Sequence, residues 1–284
     1  MEGSGRRDRE ARRRRSGGSH ITSLKNPVVQ LARRLDRPAG RAEHDRFLIE
    51  GVRCVAAAVD AALPLDSLLV TETAALRHAA LIGRAVDVSG AELLRVSDQV
   101  MAAVSSTVTP QGIVAVAPTV AVPVDRLPPA PDLVCVLDRI ADPGNVGTVL
   151  RAADAAGAGA VITTAGSAHV ESPKAVRAAA GSLFHLPVAD GVPWPAARDA
   201  CRARGLTLIG ADAHAAATVD DAVWDRPCAL VLGSEGHGLS DEAKADCDQL
   251  VRLPVYGRAE SLNLAAAAAI LLYEAARRRR ETRP

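Results

Sequence analysis

Leu133-Val134-Cys135-Val136-Leu137-Asp138-Arg139-Ile140-Ala141-Asp142-Pro143-Gly144-Asn145-Val146-Gly147-Thr148-Val149-Leu150-Arg151 is the stretch from which the fold is read. Its first five residues are all apolar. That pattern predicts a strand buried on both faces, as in a parallel sheet covered by helices. Pro143-Gly144 is a turn signal, and Asn145 with Gly147 lets the backbone come close to a ligand. A helix is expected over residues 149–156, with Arg151 in its first turns. Helix N-termini and guanidinium groups both favour a phosphate or a developing anion. The plainer alternative is an ordinary strand-to-helix turn with a surface arginine.

Working outward, further apolar strands are expected at residues 160–163, 186–188, 206–209, 229–232 and 250–253. Helices are expected at 173–180, 194–204 and 262–279. Strands alternating with helices imply an α/β fold with a mainly parallel sheet, whose ligands sit beyond the carboxyl ends of its strands. Two more strand ends carry unusual sequence. Leu232-Gly233-Ser234-Glu235-Gly236-His237-Gly238-Leu239-Ser240 is rich in backbone amides that can cradle an adenine, a ribose or a carboxylate. It lacks the dinucleotide fingerprint and the Walker phosphate loop, which disfavours a nicotinamide or nucleoside triphosphate site. His237 reads as a solvated loop histidine rather than a base. In Leu253-Pro254-Val255-Tyr256-Gly257-Arg258-Ala259-Glu260-Ser261-Leu262-Asn263, Ser261 is a candidate cap for the last helix. Asn263 then falls inside an apolar helix start, where a buried amide needs partners.

Upstream, residues 1–19 are Arg, Gly, Ser and Glu without apolar periodicity and read as a disordered basic tail. Residues 20–117 alternate helix and strand as a small α/β domain: helical spacing from Val28 to Leu35, strands at 46–51, 67–70, 93–96 and 112–117, and helices at 52–62 and 74–82. Residues 118–131 carry Pro118, Pro123, Pro128, Pro129 and Pro131, a linker signal. The second domain spans 132–284. The formal net charge is only +1, but arginines gather at Arg6–Arg15, at Arg33, Arg34, Arg37, Arg41 and Arg46, and at Arg277–Arg280, a distribution suited to phosphate. Aromatic residues are 2% of the chain, which disfavours base stacking as a mode of single-strand recognition. The five cysteines are scattered without metal spacing and read as small buried hydrophobes in a reducing compartment. Neither a signal peptide nor a membrane span is visible. The expected setting is cytoplasmic, with no membrane and no metal.

Asp142-Pro143-Gly144-Asn145-Val146-Gly147 with Arg151, Gly233-Ser234-Glu235-Gly236-His237-Gly238-Leu239-Ser240, and Leu253-Pro254 with Ser261-Leu262-Asn263 occur in this order at three strand ends. Together they resemble the SpoU/TrmH branch of the SPOUT RNA methyltransferases. Ile21-Thr22-Ser23, Asn26-Pro27 and Phe47-Leu48-Ile49-Glu50-Gly51 resemble the substrate-binding domain found in part of that family. The resemblance implies a deep trefoil knot in the C-terminal SPOUT domain, a homodimer with the active site shared across its interface, and S-adenosyl-L-methionine as cofactor. It implies methyl transfer to a ribose 2′-hydroxyl of structured RNA, rRNA before tRNA. Arg151 is the implied catalytic residue, positioned with Asn145, Glu235, Ser261 and Asn263. The implied cofactor-binding residues are Gly210, Leu232, Gly233, Gly236, Leu253, Val255, Ser261, Leu262 and Ala265.

A ribose hydroxyl is almost fully protonated at neutral pH. The site must share or remove that proton and hold the oxygen in line with the methyl group. An arginine is a poor general base, so either Arg151 loses its proton transiently against RNA phosphate or it stabilises the developing alkoxide. A different reading, a non-catalytic RNA-binding or ribosome-assembly protein on the same fold, leaves the five polar residues without a purpose. A nicotinamide dehydrogenase is disfavoured by the missing fingerprint.

Overall fold

The computed structural model describes residues 20–282, so the tail at 1–19 lies outside the described residues. The chain divides into two compact units between Thr119 and Val120.

The first unit is a four-stranded sheet with helices. Its strands are β1 (Arg46–Glu50), β2 (Ser67–Val70), β3 (Glu92–Arg95) and β4 (Ile113–Pro118), in the order β1-β4-β2-β3. β4 is antiparallel to β1 and β2, while β2 and β3 are parallel. Its helices are α1 (Pro27–Leu35), α2 (Pro38–His44), α3 (Val52–Asp60), α4 (Glu72–Arg77), α5 (Ala79–Ser89) and α6 (Asp98–Val104). Val29, Ala32 and Leu35 of α1 pack with Leu48, Leu69 and Val100 in one core. The single helix expected at 74–82 is two helices, broken where His78 takes φ −121° and ψ 30°. Apolar spacing does not mark α2 or α6. Both are short, and α6 is set by a local device, the Ser97 side chain accepting from Val100 N–H at 3.3 Å.

The second unit has strands β5 (Leu133–Asp138), β6 (Ala160–Thr164), β7 (Val188–Val192), β8 (Thr207–Ala211), β9 (Ala217–Thr218), β10 (Cys228–Gly233) and β11 (Gln249–Arg252). They lie in the order β7-β6-β5-β10-β8-β11-β9, and all the pairings are parallel. Strand order therefore reverses beside β5 and β10, which end together with Gly233 opposite Asp138. A parallel sheet with such a reversal opens a crevice at its carboxyl edge. The strand expected at 186–188 instead starts at Val188, because Pro187 cannot donate to a ladder.

Its helices are α7 (Pro143–Ala155), α8 (Pro173–Ala179), α9 (Trp194–Ala203), α10 (Asp241–Asp246) and α11 (Leu264–Thr282). α7 starts well before the expected residue 149. Asp142 accepts from Asn145 N–H at 3.0 Å, and Pro143, at the first helical position, has no N–H to satisfy. α11 packs on α7 and β10, and near its far end Arg279 donates to the Asp132 carbonyl at 2.8 Å. α7 and α11 thus both begin at the carboxyl edge of the sheet. From Val120 the proline-rich stretch lies along this unit. Arg204 donates to the carbonyls of Val124, Leu127 and Pro128 at 2.8–3.0 Å.

Cys54, Cys135, Cys201 and Cys228 are buried and Cys247 half-buried. Burial pushes the thiols of Cys135 and Cys201 up to about 12 and that of Cys228 to about 11, so they remain protonated and inert.

Candidate functional site

The carboxyl end of β5 is built by short-range contacts. Asp138 is buried and accepts from Thr164 Oγ1 at 3.1 Å and from Ser240 N–H at 2.7 Å. One carboxylate thereby ties β5 to β6 and to the loop after β10. Arg139 follows in the left-handed region, at φ 56°, exposed, with its N–H donated to Thr164 Oγ1 at 3.0 Å. Asp142 caps α7 and meets Lys174 Nζ at 2.7 Å. The Lys174 hydrogen bond holds that carboxyl below the usual carboxylate range, helped by the bond from Asn145 N–H.

Gly147 does not serve a ligand. A Cβ there would lie 2.3 Å from the Ala175 carbonyl and 2.6 Å from Ala178 Cβ, so the residue lets α8 close onto α7. The expectation that a bare Gly147 lets the backbone come close to a ligand is thus replaced by a close approach between two helices. Asn145 is half-buried with its side chain unpartnered among the described residues. Arg151 is exposed and likewise without a partner there. It stands eight positions after Pro143, or roughly 12 Å along the axis at ~1.5 Å per residue, and so in the third turn of α7.

The second loop leaves β10 at Gly233, whose missing side chain is a steric necessity: a Cβ would lie 2.1 Å from Gly238 C and Leu239 N. Ser234 and Gly238 exchange backbone hydrogen bonds at 2.9 and 2.8 Å, closing a tight loop with Glu235, Gly236 and His237 exposed at its tip. Leu232 is buried in β10, in register with Leu137 and Ala211. Gly236 has open space where a side chain would be.

The third segment differs in kind. Among the described residues, 253–262 make no backbone hydrogen bond. Leu253 and Pro254 are half-buried, while Val255, Ser261 and Leu262 are exposed. The helix cap is Asn263, not Ser261. Asn263 Oδ1 accepts from Ala265 N–H at 3.0 Å and Ala266 N–H at 3.3 Å, and its carbonyl accepts from Ala267 N–H at 2.9 Å. The expectation of a buried Asn263 inside the helix is corrected: it is exposed, and α11 begins one residue later. Its Nδ2 donates to Glu235 Oε1 at 2.7 Å, and Leu264 N–H leans on the same oxygen at 3.4 Å. Ala265 lies buried just inside the helix. Of the five polar positions picked from sequence, the chain directly joins Glu235 and Asn263. Asn145, Arg151 and Ser261 stand apart from that pair, without side-chain hydrogen bonds among the described residues.

Gly210 sits inside β8, paired with Val231 on one side and Leu250 on the other. The place of its Cβ is taken by Leu250, Leu239 and Cys247, at 2.7–2.9 Å. At the end of the same strand Asp212 meets Lys244 Nζ at 2.6 Å. Burial raises the Asp212 carboxyl, but the Lys244 hydrogen bond, the bond from His214 N–H and the neighbouring positive charge together outweigh it and leave it below its ordinary value. Asp138, Arg139 and the Asp212–Lys244 pair are site-edge features the sequence reading passed over. A charged residue ending an apolar strand was the available signal.

The basic C-terminus is not a free phosphate patch. Arg277 pairs with Glu274 and Glu281, and Arg278 with Glu274, at 2.6–2.7 Å. Among the described residues no group of three or more His, Cys, Asp or Glu has metal-binding geometry, and no helix is long and apolar enough to cross a membrane.

A parallel α/β sheet whose strand order reverses at a crevice, lined there by an open glycine loop and a bare backbone segment, defines a class of proteins that hold a nucleoside-like ligand at the sheet's carboxyl edge. Comparison with known proteins narrows the class. Residues 132–273 match the SpoU rRNA Methylase family, and residues 26–115 match the MRM3-like substrate binding domain. The chain is 36% identical to the 23S rRNA (uridine(2479)-2'-O)-methyltransferase of Streptomyces viridochromogenes, over 91% of this chain and 92% of that one. It is 34% identical to the 23S rRNA (guanosine(2553)-2'-O)-methyltransferase RlmP of Bacillus subtilis, over 89% and 97%. The crystal structure of the SpoU methyltransferase AviRb from Streptomyces viridochromogenes, in complex with the cofactor AdoMet, superposes with a TM-score of 0.83 at 32% identity, covering 91% of this chain and 100% of that one. The chain belongs to the SpoU rRNA methylase family.

Proposed function

We propose that this protein transfers a methyl group from S-adenosyl-L-methionine to a ribose 2′-hydroxyl of ribosomal RNA. The observation that carries the reading is the segment 253–262, whose amides and carbonyls have no partner among the described residues and whose end is tied to the glycine loop after β10 by the Asn263–Glu235 bond. Bare backbone groups beside a glycine loop fit the hydrogen-bonding edges of an adenosine and an amino-acid carboxylate. The donor set, uncharged backbone amides and carbonyls, also fits a sulfonium cofactor. Backbone groups of Leu253, Val255 and Leu262 would hold it, with Gly210, Leu232, Gly233, Gly236, Ser261 and Ala265 as neighbours. When bound, it would supply an electrophilic methyl group.

The rest falls to the chain's own residues. Glu235 fixes Asn263, and through it the start of α11, against the β10 loop. Asn145 offers an unpaired amide to the substrate ribose or phosphate. Arg151 is the catalytic residue. Among the described residues its guanidinium has no partner to neutralise it, so it is available to stabilise charge on the acceptor oxygen. Arg151 stands on the third turn of α7 and, among the described residues, makes no hydrogen bond or ion pair with Glu235, Ser261 or Asn263. That separation favours a homodimer in which one protomer's Arg151 completes its partner's site. The return of the chain from β11, beyond β8, to a helix on α7 and β10 favours the trefoil knot. In the same reading, residues 20–117 form the RNA-binding domain and the enzyme works in the cytoplasm.

The test uses methyl-labelled cofactor and deproteinised ribosomal RNA. A 2′-O-methyl group removes the nucleophile needed for alkaline cleavage of the next phosphodiester, so label is expected in alkali-resistant dinucleotides. Label released as mononucleotides would place the methyl on a base and overturn the assignment.

A further inference from the structure

We propose that the corner between α1 and α2 is a phosphodiester clamp for the RNA substrate, formed by Arg33, Arg34 and Arg37 with Gln30. This inference rests on the reading of the chain as an RNA methyltransferase and locates where the N-terminal unit grips that RNA. The four side chains line a depression of about 330 Å³. The three arginines are exposed, and none has an ion pair or side-chain hydrogen bond among the described residues. Elsewhere in the same unit Arg46 is tied to Asp66, Arg84 to Asp60 and Arg95 to Glu72, while Arg53 and Arg77, like the three at the corner, have no ion pair among the described residues but stand singly in the sequence. Asp36, their acidic neighbour in sequence, pairs with none of the three.

The corner leaves these three arginines exposed around the depression. A fourth arginine, Arg41, is buried and turned inward. Its Nη1 donates to the carbonyls of Leu35 at 3.0 Å and Asp36 at 2.9 Å, satisfying the end of α1. Gly40 closes the turn, since a Cβ there would lie 2.2 Å from the Arg34 carbonyl. Pro38 at the start of α2 fixes the entry of the second helix. Three arginines within five residues gather positive charge at one corner, which suits the charged backbone of a nucleic acid. Their planar forks also suit phosphate oxygens better than lysine would. The bland alternative is that Arg33 and Arg34 only complement the negative end of the α1 dipole. That role would show up in stability and leave RNA affinity alone.

The two are separated by the full-length triple variant Arg33→Ala, Arg34→Ala, Arg37→Ala, with a triple lysine variant beside it. RNA binding is measured by fluorescence anisotropy with a labelled ribosomal RNA transcript at several salt concentrations, alongside melting temperature and cofactor titration. The expected result is a salt slope shallower by about 2–3 in the alanine variant, one increment of ~0.7–0.9 per lost phosphate contact, with roughly tenfold or greater weakening at low salt. Melting temperature and cofactor affinity stay at wild-type values, and the lysine variant keeps the slope. An unchanged slope in a folded alanine variant, with the wild type still methylating the RNA, overturns the clamp and leaves the enzyme assignment standing. Wild-type protein that binds the cofactor yet methylates no RNA overturns the assignment and the clamp with it.

Discussion

The carboxyl ends of β5 and β11 lie on the same sheet edge and are finished in opposite ways. Beyond β5 the chain is held by its own side chains: Asp138 takes two donors, Asp142 caps α7, and Gly147 lets α8 press against the helix. Beyond β11 the backbone of 253–262 is left to solvent until Asn263 restarts regular structure. Folded chains rarely leave a long run of peptide groups without protein partners unless water or a ligand satisfies them. The contrast teaches that the first loop is a mount, rigid enough to carry Arg151 on a fixed helix, and the third is a receptor, left open for hydrogen bonds from outside. The Glu235–Asn263 bond is the clasp that ties the receptor to the glycine loop.

The largest expected effect lies on the mount. Arg151→Ala should cut methyl transfer by roughly 10²–10³-fold, the scale of losing one charge-stabilising donor, with melting temperature and cofactor affinity unchanged. Single-turnover assays with labelled cofactor check it. Wild-type-like turnover would mean that α7 carries no chemistry. Next, Gly147→Ala should destabilise the protein by about 1–3 kcal/mol, because its methyl meets the α8 backbone, whereas Gly236→Ala, facing open space, should not. Urea denaturation of the two variants separates a packing glycine from a loop glycine. The clasp is tested by Asn263→Asp. The carboxylate can still accept at the cap, so stability should hold to within about 1 kcal/mol, but the donor to Glu235 becomes a like charge. Calorimetric titration should then show weaker cofactor binding, and unchanged affinity would detach the clasp from the site.

A smaller effect is expected at Arg139. Its positive φ costs about 1 kcal/mol, which Arg139→Asn should return as added stability, asparagine being tolerant of that region. The smallest concerns pH. Arg277, with Arg278, holds the Glu274 carboxyl at about 2. Because the folded value is depressed, its contribution is present above the ordinary value of 4.5 and fades as pH falls from there toward 2. Thermal melts across that window should drop less steeply in Glu274→Gln than in wild type.

Much of this arrangement was legible in the sequence. The unbroken apolar run of β5 announced a buried parallel strand, and glycines placed after strands announced loops at a ligand edge. What escaped was set by single capping side chains or by partners far along the chain. Asp142 moved the start of α7 six residues earlier, and Asn263 displaced Ser261 as the cap of α11. Helices α2, α6 and α10 are too short for apolar periodicity to show. The tie from Asp138 to Ser240 spans 102 positions, and no local pattern encodes it. Gly147 reads as a close approach of backbone to ligand because sequence cannot say which neighbour a bare Cα faces.

Hydrogen exchange read by mass spectrometry, with and without S-adenosyl-L-methionine, puts the mount and the receptor side by side in one experiment. In the free protein the amides of 253–262 should exchange within seconds and those of α7 slowly. Added cofactor should protect 253–265 and the loop at 233–238 while leaving α7 as it was. Protection confined to α7, or none at 253–265 under saturating cofactor, would contradict the account.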